Sequence, residues 1–423
     1  MRILSAVIAA TALATAGHAQ AQPQAQTPAH YDLKARLDAA AGRIAATLTV
    51  SLPVGAGDTA FVLADRFRIE RVDAGPGGAA TIAPVDTPIP HLNRIAFHFT
   101  DPRAPHWVSI VYDGVVNDPD DPTPALSPQR IELNIEDMWL PAREDLGLAF
   151  TADAEITGLP HDLVAISQGR FERRGDRLII HRAEAETDLP IDGAVGLTMI
   201  HSADVDFWAA EQDDPLVAAL RRDAFGAAAF YRKLYGAPAI DPVRMVIVPR
   251  GDGAGYGERS FVVMPTFRKP GAPTPKFDET SPASFVAHEF RHAWMPNLQG
   301  VPTDDTWLSE SVAEYFGLRY VEVTFGVKAR DVMLERKRKA ATGAGPLIGL
   351  GKKPSGAALY QEGPVLLFDL EAKIGRPAVD RVLVRKDPPL TTQAFSKSLR
   401  EVAGADVARD FEATLRSGVT NAP

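Results

Sequence analysis

From Tyr31 to about Ile200, apolar and polar positions alternate in short runs. Ile44, Ala46, Leu48 and Val50 fall on one side of such a run, and Ala45, Thr47, Thr49 and Ser51 on the other. Successive strand residues point to opposite faces, so this period predicts half-buried β-strands. The runs at 95–99, 107–112 and 178–180 repeat the pattern, and turn residues such as Gly75-Pro76-Gly77-Gly78 divide them. Between Ser202 and Asp214 the period changes. Asp214-Pro215 opens a helical run that ends at Tyr235-Gly236, and short buried strands are predicted at 244–248 and 260–264. Ser281-Pro282 supplies an N-cap and a first-position proline for the next helix. Further helices are expected at 304–321, 327–341 and 357–374, and in two pieces after Thr391. The fold class is therefore α+β, with an all-β domain over residues 30–203 followed by a helix-rich domain over 204–423.

The length fits two domains, because the 423 residues exceed what one hydrophobic core ordinarily serves. Apolar residues make up 45% and charged residues 23%, a globular composition. The net charge of −9 is spread without a basic block, which argues against a nucleic-acid partner. There is no cysteine, so stability must come from ordinary cores rather than disulfides. Arg2, an apolar run over 3–16 and Ala19-Gln20-Ala21 read as a signal peptide over 1–21, cleaved near Ala19 or Ala21. A Pro/Gln-rich, disordered leader is expected over 22–29. These features predict a periplasmic or secreted protein, and no later run is long enough to span a membrane.

The helix expected after Ser281 carries His288-Glu289-Phe290-Arg291-His292. Residues four apart on a helix point the same way, so His288 and His292 can share one metal ion. Glu289 is then placed to act on water rather than to bind the ion. Among the ten histidines of the chain, these two are the only ones after His201. Glu310, in Trp307-Leu308-Ser309-Glu310-Ser311, offers a third ligand from the next helix, and three protein ligands plus water make a catalytic zinc site.

These blocks resemble the aminopeptidase N family of zinc metallopeptidases, which includes leukotriene hydrolase and carries H-E-x-x-H, Q-W-F-G-N and W-L-N-E-G motifs. The corresponding residues here are the 288–292 stretch, Ala293-Trp294-Met295-Pro296-Asn297, and Asp305-Thr306 leading into Trp307-Leu308-Ser309-Glu310. The resemblance implies a saddle-like β-sandwich followed by a thermolysin-like catalytic domain. It also implies one Zn²⁺ held by His288, His292 and Glu310, with Glu289 as general base. The connection from His292 to Glu310 is one residue shorter than the family usual. The family's Y-x-K-G tyrosine, which stabilises an oxyanion, corresponds to Tyr360 in Tyr360-Gln361-Glu362-Gly363. Its G-x-M-E-N block corresponds to Gly255-Tyr256-Gly257-Glu258-Arg259, where Glu258 is the implied anchor for a peptide's free amine. The Met and Asn of that block are absent, which leaves cleavage inside peptides, or of a non-peptide amide, as an alternative. Glu314 and Asp305 are candidates to orient the ligands from behind, and Asp305 is equally a candidate helix cap. Met138-Trp139-Leu140-Pro141 with Asp145, and residues 163–169, extend the likeness into the β domain. The residues after 375 are too few for the family's large C-terminal helical domain, which implies a more open groove. The expected partner is a peptide substrate; a binding module that kept the scaffold without catalysis is the second class of reading.

Other motifs carry less. Gly251-Asp252-Gly253-Ala254-Gly255 precedes a strand rather than the helix a dinucleotide loop needs, Gly349-Leu350-Gly351-Lys352-Lys353 lacks P-loop spacing, and no G-x-S-x-G occurs. Arg174-Gly175-Asp176 reads as a hairpin turn.

Overall fold

The computed structural model describes residues 28–84, 91–101, 103–118, 125–144, 149–238, 242–250, 255–266, 277–294, 303–384 and 391–418. Most of the expected signal peptide and leader, together with Asp145, Met295-Pro296-Asn297 and Gly251 to Ala254, lies outside them. None of the described helices is long and apolar enough to cross a membrane.

The chain divides into two compact units, Met1–Leu197 with Arg250–Gly253, and Thr198–Pro249 with Ala254–Pro423. The division falls at Leu197 rather than at 203 because the strand Thr198–His201 pairs with Val205–Ala209, a strand of the second unit's sheet.

The first unit is all β. A seven-stranded sheet runs in the order Arg170–Arg174, Arg177–Glu186, Phe150–Thr157, Ala29–Asp38, Arg43–Leu52, His106–Val115, Phe67–Ala74. Two four-stranded sheets accompany it. The alternation in residues 44–51 places Ile44, Ala46, Leu48 and Val50 in the core, as the period predicts. Arg182 is the largest of the fully buried polar side chains described in this unit. Its guanidinium donates to Gln168 Oε1 at 2.9 Å and to the Phe150 carbonyl at 2.7 Å, and lies 4.6 Å from the Phe150 ring centre. Those bonds offset the desolvation that a buried cation would otherwise suffer. Gly175 adopts φ +65 and closes the hairpin between Arg174 and Arg177, so Arg174-Gly175-Asp176 is a turn.

The second unit is built on five strands ordered Thr198–His201, Val205–Ala209, Val243–Val248, Phe261–Pro265, Tyr256–Glu258. The middle three are parallel and the Tyr256–Glu258 edge is antiparallel. Helix α1 (Pro215–Tyr235) crosses between the first two parallel strands. Its N-terminus is capped by Asp214, which accepts from the Leu216 and Val217 N–H groups. Helix α2 spans Thr280–Trp294 and opens just ahead of Ser281-Pro282: the Asp278 carboxylate takes the Thr280 N–H, so Ser281 lies inside the first turn instead of capping it. Helix α3 (Thr306–Phe325) is buried on nearly every side, with Trp307, Val312, Tyr315, Phe316 and Tyr320 all in the core. Helix α4 (Val327–Ala340) is the opposite case, with no fully buried residue. Helices α5 (Gly363–Ile374), α6 (Arg376–Leu383), α7 (Thr392–Ala403) and α8 (Ala405–Ser417) complete the unit, α6 being one that the sequence pattern did not reveal.

Candidate metal centre

On α2 the side chains of His288 and Glu289 are buried and that of His292 is half-buried. The two imidazole rings stand 5.2 Å apart, and ligand atoms of His288, Glu289 and His292 lie within 4.8 Å of one another. Arg291, the cation inside the motif, is occupied elsewhere: its guanidinium sits 4.6 Å from the Tyr235 ring centre and 5.4 Å from that of Phe316.

Helix α3 brings Glu310 to this group, with Oε2 3.5 Å from His288 Nε2. The shorter connection therefore does not keep the glutamate away from His288. One turn on, Glu314 Oε1 lies 3.2 Å from His288 Nδ1, the position from which a carboxylate orients an imidazole ligand. Asp305 is different. Its Oδ1 accepts the Thr392 N–H at 2.6 Å, and its side chain makes no cap bond to α3. The expected roles of ligand orienter and helix cap both give way to a clip between the start of α3 and the start of α7. Trp307 Nε1 reinforces the clip by donating to Thr392 Oγ1 at 2.9 Å.

Tyr360 enters on a π-helical turn, Ala358–Glu362, that leads into α5. Its ring centre is 5.9 Å from that of His288, and the Glu310 carboxylate is close enough to act on its hydroxyl. A π turn holds one residue more than an α turn and re-aims the side chains on it, a feature often found at functional sites. The seat of this turn is tight. A Cβ on Gly363 would stand 1.9 Å from Ser311 Oγ, which donates to the Leu359 carbonyl at 2.7 Å. The edge strand also approaches closely: a Cβ on Gly257 would be 2.6 Å from Glu289 Oε2 and 2.8 Å from the Glu289 carbonyl. No side chain fits there, so the backbone of Gly255-Tyr256-Gly257-Glu258 runs directly against the glutamate. Glu258 itself is buried.

Burial and the neighbouring charges act against each other in this group. Burial pushes the His292 imidazole down to about 4, so it is neutral and able to ligate near pH 7. Burial acts on His288 in the same direction, but its contacts with Glu310 and Glu314 overcome it and hold the ring protonated. Burial would raise Glu310 and Glu314, yet the His288 charge keeps both below the usual carboxylate range. Burial, with the Glu310 charge next, pushes the Tyr360 phenol well up, so it remains a donor. Glu310 and Glu314 contact His288 and Glu289 adds its charge, while Lys337 lies 2.6 Å from Glu314. Two imidazoles with adjacent carboxylates are the donor set that suits a divalent transition metal, and the residues present fit zinc.

Comparison of the fold with solved structures gives matches over nearly the whole chain. The M1 zinc metallopeptidase from Deinococcus radiodurans matches 94% of this chain and 95% of its own, with TM-score 0.64 and 16% identity. Native yeast LTA4 hydrolase matches with TM-score 0.71 and 15% identity over 93% of this chain and 68% of its own.

This chain has the M1 zinc metallopeptidase fold.

No protein-family model and no curated protein matches the sequence. At 14–16% identity the M1 fold is preserved in the path of the backbone far more than in the residues along it. The mixed α+β reading and the resemblance carried by the 288–310 blocks agree with the M1 fold. Lys337 is the residue near the site that sequence reasoning missed. It lies in the Lys337-Arg338-Lys339 run of a polar helix, which reads as a solvated face.

Proposed function

We propose that this chain is a zinc-dependent hydrolase of peptide bonds and, within that class, an aminopeptidase. The observation that carries the reading is the grouping of His288, Glu289 and His292 on one helix, with Glu310 of the next helix 3.5 Å from His288. His288, His292 and Glu310 are assigned as the ligands of one zinc ion. Bound there, zinc would supply Lewis acidity and lower the pKa of a water toward neutrality. Glu289 takes the proton of the attacking water and passes it to the departing amine, acting first as base and then as acid. Tyr360 donates a hydrogen bond from its phenol to the oxygen that becomes negative at the scissile carbonyl. Glu314 orients His288 through Nδ1 and so leaves Nε2 for the ion.

Aminopeptidase specificity rests on Glu258 as the partner of the substrate's free α-amine. Loss of a charge-assisted hydrogen bond of this kind should raise KM roughly tenfold to a hundredfold in Glu258→Ala, with a smaller change in kcat. N-acetylated peptides should be cut far more slowly than free ones by the native protein. Equal rates on both, with KM unchanged in the variant, would favour cleavage inside peptides or of a non-peptide amide. The departure of Gly255-Tyr256-Gly257-Glu258-Arg259 from G-x-M-E-N is the observation behind that second reading.

A further inference from the structure

Helix α4 is the most polar helix of its unit, yet one of its cations turns inward. Lys337 has 13% of its side chain exposed, against 77% for Lys339 two residues on. Its Nζ lies 2.6 Å from Glu314 Oε2 and donates to the Tyr360 carbonyl at 2.9 Å. Each contact has a separate physical reason. Glu314 presents its other oxygen to His288 Nδ1, so a cation on Oε2 fixes the carboxylate and, through it, the ring. The Tyr360 carbonyl cannot take the α-helical bond from residue 364, which is Pro364 and has no N–H. The lysine ammonium gives that carbonyl a donor from another helix.

We propose that Lys337 is a positioning residue that couples the two arms of the centre, holding His288 through Glu314 and Tyr360 through its backbone carbonyl. The assignment of the arms rests on the zinc-hydrolase reading above. One ammonium then sets both the ring that would ligate the ion and the turn that aims the phenol. Neither target is reached by the rest of the Lys337-Arg338-Lys339 run: Arg338 pairs with Asp369, and Lys339 faces Glu335 across the surface.

The test compares Lys337→Met, Lys337→Arg and the surface control Lys339→Met in the full chain. Two quantities are read, the zinc dissociation constant by competition with a chromophoric chelator and the separate kcat and KM for a peptide. Removing an outer-shell partner typically weakens metal binding about 10–100-fold, and that loss is expected in Lys337→Met. Its kcat should fall while KM holds, since Tyr360 acts only as charge develops. Lys337→Arg, which keeps the charge and several donors, should recover most of the zinc affinity, and Lys339→Met should match the native chain. A purely structural lysine would lower the melting temperature of the metal-free protein without moving zinc affinity, and that result overturns the proposal. So does a Lys337→Met variant with native zinc affinity and native kcat, while the zinc-hydrolase reading stands. A native chain that takes up no zinc overturns that reading and the proposal together.

Discussion

Replacing Glu289 by Gln is expected to lower kcat about 10²–10⁴-fold, the usual worth of a positioned general base. The zinc content of the protein should stay unchanged. The substitution keeps the volume and the hydrogen-bonding shape of a side chain that is 6% exposed and pressed against the Gly257 backbone, so the fold has no reason to change. What it removes is the ability to take a proton. The pairing of the two readouts matters because ligand atoms of Glu289 lie within 4.8 Å of those of His288 and His292. Steady-state kinetics beside metal analysis separates the roles. Lost turnover with retained zinc marks a base; turnover and zinc lost together would make Glu289 a ligand and displace Glu310 from the set.

The second large effect is expected at Tyr360. In Tyr360→Phe the ring remains packed near His288 while the one donor aimed at developing charge disappears, and kcat should fall on the order of 10²–10³-fold. KM should change little, because the hydroxyl interacts with charge that the ground-state substrate does not carry. Burial and the neighbouring Glu310 keep this phenol protonated, so its role is donation rather than proton transfer to solvent. A variant whose loss lay in KM alone would assign Tyr360 to substrate binding.

How much of this was legible in the sequence depended on whether one element or several had to be known. Spacing alone placed His288 and His292 on one face of a helix, since four residues on a helix is a local geometry. Alternation alone sorted Ile44, Ala46, Leu48 and Val50 from their polar neighbours. The seven-strand order was not readable, because Ala29–Asp38 pairs in parallel with Phe150–Thr157 more than a hundred residues away. Glu310 was found through its block rather than its periodicity, as α3 is apolar on nearly all faces and shows no stripe. Asp305 was misjudged because its partner, the Thr392 N–H, comes from a helix start far along the chain. Lys337 was invisible for the same reason: its two partners, Glu314 and the Tyr360 carbonyl, lie on other elements. The π turn that carries Tyr360 had no signature beyond Gly363-Pro364, which reads equally well as an ordinary helix opening.

The central claim is that His288, His292 and Glu310 hold one zinc ion. Metal analysis of the purified chain by mass spectrometry, after equilibration with zinc and beside His292→Ala, tests it most directly. The account predicts one zinc per chain in the native protein and its loss in the variant, because two protein ligands hold such an ion far more weakly than three. A native chain without bound zinc under these conditions, or a His292→Ala variant that keeps it, would contradict the account.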